Sequence, residues 1–238
     1  NSYETLEAYA RKVETRVDKK TRVETRTIIS SPDELAAATL EGFTVTEDML
    51  GNYSQTTYGR TAPSRSSEET PDGLYHLHFV PKKLTREVSA VLHIEGLNNI
   101  RSATCRLGGV AESIFLATGK TSANTVTQEF TPSNPEFSPG SPFNGTLSCE
   151  FEIFGLNVID NNNLHLDALL VDGKTEFEGD CTNVKITEND DGTGSVTLIL
   201  EASTEKVPDV KPEGGAGSGF DVDVDGWGNE INTDIPIN

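Results

Sequence analysis

Thr146–Phe154 reads TLSCEFEIF. Leu147, Cys149, Phe151 and Ile153 alternate with Ser148, Glu150 and Glu152. That is the period of a strand with one face in a core and the other toward water. The same signal recurs on both sides. Upstream, Leu74–Val80 (LYHLHFV) puts Tyr75, Leu77 and Phe79 on one face, and Val88–Ile94, Ala103–Leu107, Ser113–Leu116 and Thr125–Phe130 follow. Downstream come Leu164–Val171, Lys174–Phe177, Asn183–Ile186, Ser195–Glu201 and Phe220–Val224. Asn161–Asn163, Asp172-Gly173 and Asp190-Asp191-Gly192 fall between runs, where hairpins need residues that tolerate positive φ. About ten short strands with turns every 8–12 residues predict a β-sandwich rather than a βαβ fold. The 27 threonines agree, because a branched β-carbon packs well on a pleated surface.

The chain has 238 residues, 19 basic and 38 acidic, for a net charge of −19. Such a balance argues against nucleic acid and against docking on anionic lipid, since both need clustered Lys and Arg. No apolar run approaches the roughly 20 residues that span a bilayer as a helix. Residues 1–86 hold 12 basic and 13 acidic side chains, whereas residues 87–238 hold 7 and 25. This shift predicts two units with different surfaces.

The first unit reads less clearly. Asn1–Ala10 has no charged n-region and no apolar h-region, so it is not a signal peptide; it reads like the interior of a folded segment, as in a cleaved product. Residues 11–26 carry seven basic side chains against three acids and read as strand, charged loop, strand. Ser31-Pro32-Asp33-Glu34-Leu35 looks like a helix start, with a capping serine, proline at the first helical position and acids at the positive end of the dipole. That helix would run through Ala36–Leu40 and stop near Gly42. Phe43–Thr46 is a short strand candidate, and Tyr53–Pro71 reads as loop. Near the end, Lys211–Gly219 (KPEGGAGSG) is a flexible linker before the last strand.

Few residues suggest chemistry. Asp221-Val222-Asp223-Val224-Asp225-Gly226 resembles half of a calcium loop, but position 12 is Asn232 rather than a bidentate Glu, and Glu230 falls at position 10. The same alternation describes a half-buried strand, and we take that reading. His76 and His78 share a strand face, a spacing that can hold zinc with further ligands; His93 and His165 have no motif around them. Cys105, Cys149 and Cys181 form no CxxC; they read as small buried hydrophobes, with a Cys105–Cys149 bridge open if their strands pair. Trp227 is either a sugar platform or packing for the last strand, and packing is the simpler account. Gly217-Ser218-Gly219 lacks the G-x-S-x-G frame, and no phosphate loop is present.

Several stretches together resemble a known family. They are Tyr3–Arg11 (YETLEAYAR), Ser31-Pro32-Asp33, Leu84–Gly119, Phe151–Leu156 (FEIFGL), Leu164–Lys174 (LHLDALLVDGK) and Phe220–Ile235 (FDVDVDGWGNEINTDI). In combination they resemble a family of Bacteroidetes surface lipoproteins of unknown function, related to fimbrillin and fimbrial-anchor (minor pilin) proteins. The resemblance implies an all-β chain of two transthyretin-like, Greek-key β-sandwich domains in tandem, with one short helix in the first. It implies secretion and tethering through a lipidated cysteine, which this sequence does not contain at its start. It also implies that an incomplete first sheet would present an open edge to a strand from elsewhere.

The expectation is then an N-terminal β-sandwich domain over residues 1–83 and a C-terminal one over residues 84–238, with a division near Pro81–Arg86 and a final strand at 220–225. The expected function is that of a fimbrial-type, anchor or adhesion lipoprotein at the cell surface and outer membrane. It acts by strand pairing and protein contacts with other fimbrial subunits or host surface ligands. The alternative is a carbohydrate- or host-ligand-binding module. No catalysis, no catalytic or metal residue and no cofactor are expected.

Overall fold

The computed structural model describes residues 6–17, 22–40, 42–45, 77–157, 162–190, 192 and 196–213. Fifteen strands occur among them. In chain order they are β1 (Glu7–Tyr9), β2 (Val13–Val17), β3 (Glu24–Ile28), β4 (Ala36–Ala37), β5 (Lys82–Lys83), β6 (Arg86–Glu95), β7 (Ile100–Ala111), β8 (Ser113–Phe115), β9 (Thr125–Phe130), β10 (Asn134–Phe137), β11 (Asn144–Ile153), β12 (Leu164–Leu170), β13 (Glu176–Asp180), β14 (Thr182–Asp190) and β15 (Val196–Ser203). Two sheets dominate. One has the order β10-β11-β6-β15-β14, the other β13-β12-β7-β9-β3-β2. Two small pairs, β1-β8 and β4-β5, complete the set. The chain is all-β, as its alternation predicts.

Alternation sets which side chains enter the core. On one sheet Val88, Ala90, Leu92 and Ile94 of β6 meet Leu198, Leu200 and Ala202 of β15 and Leu147, Phe151 and Ile153 of β11; on the other Ala103, Cys105 and Leu107 of β7 lie beside Leu164, Leu166, Ala168 and Leu170 of β12, and all are buried. Each fully buried Leu among them contributes about 1.5–3 kcal/mol. Across the core the ring of Phe130 on β9 stacks on that of Phe151 on β11 with centroids 4.4 Å apart. The β7 ladder slips between Leu107 and Val110. Gly108 and Gly109 make the slip possible. A Cβ at Gly108 would lie 1.9 Å from Asn163 Oδ1, and Gly109 holds φ 83°. The Asn162 amide donates to the Gly108 carbonyl at 2.9 Å and fastens the bulge.

Residues from both sides of the expected division at Pro81–Arg86 meet in the six-stranded sheet. β3 runs parallel to β9 with Thr27 opposite Thr127 and Ile28 opposite Gln128, and β2 adds to β3 as an antiparallel hairpin. Gln128, fully buried, donates from Nε2 to the Ile28 carbonyl at 3.3 Å. Close by, the Arg26 guanidinium grips both oxygens of Glu112, a carboxylate whose side chain is 6% exposed.

Three local expectations fail. Among the described residues there is no α-helix, and residues 31–40 hold only β4, with Ala36 and Ala37 opposite Lys83 and Lys82. One short turn of capped sequence cannot offset helix nucleation, and an available strand partner wins. Leu77–Val80 is exposed and unpaired in secondary structure despite its alternation, and Phe43–Val45 forms no strand. The bridge that the sequence left open is absent, as the reading of the cysteines as small hydrophobes has it: Cys105 and Cys149 lie in opposite sheets, and all three cysteines are free thiols. The strand expected at 220–225, its linker beyond Glu213 and the loop Tyr53–Pro71 lie outside the described residues.

The Arg26–Glu112 pair generates a stability prediction. Arg26→Ala leaves the buried carboxylate without its counter-charge, and unfolding free energy falls by about 2–3 kcal/mol. The double substitution Arg26→Met with Glu112→Leu recovers most of that loss. Urea midpoints at unchanged m-value measure both.

Candidate functional site

The outer face of the six-stranded sheet carries the most developed polar arrangement. On β7, Ser102, Thr104 and Arg106 alternate with the buried Ala103, Cys105 and Leu107, so all three point away from the core. On β12, His165, Asp167 and Leu169 do the same against Leu164, Leu166, Ala168 and Leu170. Register then lines them up across strands. Asp180, His165, Arg106 and Glu129 stand opposite one another on β13, β12, β7 and β9. One step along, Glu178, Asp167 and Thr104 form a second row, and Glu176, Leu169 and Ser102 a third.

Ion pairs knit the rows. Arg106 Nη2 lies 2.7 Å from Asp167 Oδ2. His165 approaches Asp180 at 2.8 Å through Nδ1 and Asp167 at 3.4 Å through Nε2. Arg16 on β2 reaches Glu129 Oε1 at 3.4 Å, while its Nε, out of water, has no acceptor. β2 and β13 are the opposite edges of this sheet, yet Thr15–Val17 and Glu176–Glu178 border one depression. The sheet is therefore curled into a trough, with a cavity volume of about 580 Å3. Its floor is sunk: the side chains of Arg106, Glu129 and Asp167 are 18%, 22% and 33% exposed.

The carboxylate neighbours tune His165. Asp167 most strongly, then Asp180, raise its pKa above the ordinary value of 6.5, against an opposing push from partial burial and from Arg106. The thiols behave differently. Burial raises Cys105 well above the usual cysteine value, Cys149 to about 11 and Cys181 to about 12, so none is a ready nucleophile near neutrality.

The five-stranded sheet also ends, among the described residues, in two edge strands. β14 (Thr182–Asp190) borders the five-stranded sheet and, among the described residues, pairs only with β15; β10 borders the other side of that sheet. The short β10 carries Pro135, whose nitrogen has no proton to donate, whereas β14 has no proline and, after an irregularity at Asn183, keeps a regular ladder over Lys185–Asp190.

Of the residues the sequence singled out, Asp221–Asp225, Trp227, Glu230, Asn232 and His76 lie outside the described residues. His78 is exposed, and His93 is exposed on β6. His165 joins the trough network, which the sequence reading missed. The signal was there: His165 and Asp167 alternate within LHLDALL, and Ser102, Thr104 and Arg106 within RSATCRL. What could not be read was that these two faces are neighbours. Among the described residues no three of His, Cys, Asp and Glu converge on a metal position, and no helix is long and apolar enough to cross a membrane.

Residues 1–131 match the model of a family described as a domain of unknown function (DUF5119). No curated protein matches the chain. Among solved structures, a candidate adhesin from Bacteroides ovatus ATCC 8483 is similar at 14% identity and a TM-score of 0.39, over 75% of this chain and 57% of that one. The chain thus spans little more than half the length of that protein.

His165 makes stability depend on pH. Its folded pKa is raised, so its stabilising contribution is complete below 6.5 and is lost as pH rises through the higher folded value. Melting temperature should therefore fall between pH 6.5 and mildly alkaline pH, and His165→Gln should flatten that part of the profile. Parallel profiles for the two proteins would show that His165 is not the group responsible.

Proposed function

The chain belongs to the DUF5119 family, domains of unknown function, and from its architecture we propose that it is a surface adhesion protein that works by holding partners rather than by catalysis. The observation that carries this reading is the edge of β14, regular over Lys185–Asp190 and without a second strand partner among the described residues. Such an edge offers a row of backbone donors and acceptors to an incoming strand. Lys185, Thr187 and Glu188 are exposed on it and supply polar contacts around that row. The net charge of −19 supports protein and glycan surfaces as partners over anionic lipid and nucleic acid.

A fimbrial relationship, a transthyretin-like plan of the sandwich and attachment to the outer membrane through a lipid upstream of this segment belong to the same proposal. Other fimbrial subunits or host surface ligands are the partners it implies.

Protease shaving of intact cells tests the location. The protein should be digested by added protease while a cytoplasmic marker survives, and Thr187→Pro on the β14 edge should lower attachment of the cells to their target surface. Survival of the protein alongside the marker, in unbroken cells, would overturn the reading.

A further inference from the structure

We propose that the trough on the outer face of the six-stranded sheet is a binding site for a neutral saccharide. The proposal deepens the adhesion reading by giving it a ligand and an address. At about 580 Å3 the trough lies within the range of small-ligand sites, roughly 300–1,000 Å3.

Its chemistry narrows the ligand. Arg106 and Arg16 supply guanidinium donors, and each already faces a carboxylate, Asp167 and Glu129. A sugar hydroxyl is both donor and acceptor, so it can accept a hydrogen bond from a guanidinium and donate one to the neighbouring carboxylate without breaking the pair. Ser102, Thr104 and Thr15 add hydroxyls along the floor and wall. Val17 and Leu169 stand among these polar groups and offer apolar surface to the C–H faces of a pyranose ring.

Other ligand classes fit worse. An anion meets four carboxylates, Glu129, Asp167, Glu176 and Glu178, against two arginines that are already engaged. A purely apolar ligand would bury these charged groups without replacing their water. A cation finds Arg106 in the middle of the floor, in register between His165 and Glu129.

The test is a glycan array probed with the purified chain, carrying neutral, acidic and amino sugars, followed by titration of any hit against two variants. Ser102→Trp fills the floor from an exposed position on β7 and leaves every ion pair in place. Asp167→Asn keeps the shape and removes one charged acceptor. Binding should concentrate on neutral glycans, vanish in S102W with melting temperature unchanged, and weaken by about 10–100-fold in D167N. No hit, hits confined to charged glycans, or a hit that S102W binds as tightly as the parent would each overturn the assignment. Attachment of whole cells separates the two readings. If cells attach through this protein and no glycan binds, adhesion stands and the trough fails. If the trough binds its glycan and cells lacking the protein attach normally, the trough stands and adhesion fails.

Discussion

A two-residue parallel seam holds the N-terminal hairpin to the rest of the molecule. Thr27 and Ile28 on β3 meet Thr127 and Gln128 on β9, and nothing longer joins these two strands. So short a ladder is weak by itself, since parallel pairing is slightly the less stable kind per residue. Side chains reinforce it. The buried Gln128 amide donates to the Ile28 carbonyl, and Arg26 closes on the Glu112 carboxylate. The Gln128 amide and the Glu112 carboxylate are both buried, so a lost partner costs more than the bond itself contributes.

The curl of the sheet depends on this seam. β2 hangs on β3, and Arg16 on β2 reaches back to Glu129 on β9. Without the hairpin the outer face of β7 and β12 would be an ordinary solvated surface, and its ion pairs would contribute little. With it, Arg106 and Asp167 sit in a trough where charges are partly shielded from solvent. A packed inner face thus leaves the outer face free to carry function, because each strand sends alternate side chains to opposite sides. The sandwich supplies rigidity on one side and chemistry on the other.

Legibility in the sequence followed the strength of local alternation. Thr125–Phe130 matches β9 at both ends, and Leu164–Val171 runs one residue past β12. β10 was missed, since Asn134-Pro135-Glu136-Phe137 is wholly exposed and carries a proline, so no pattern marks it. The helix at residues 31–40 had good capping residues and no face to bury, and tertiary pairing of Ala36–Ala37 with Lys82–Lys83 prevailed. LHFV at 77–80 shows the opposite lesson: alternation without a partner strand makes no sheet. Half of the trough was equally visible, as polar residues at alternate positions on β7 and β12. His165 looked isolated because, apart from Asp167 two residues along, its ion-pair partner Asp180 comes from the neighbouring strand, 15 positions away in the chain.

By itself, the sequence determined that this chain is all-β and which residues of most strands face inward. Those properties are local, because a period of two is written in residues that touch along one strand. Only the tertiary structure decided which strands are neighbours. Backbone hydrogen bonds join strands without regard to side-chain identity, so nothing local tells β3 to run beside β9 a hundred residues later, or brings Arg16 on one edge and Glu178 on the other to the same trough.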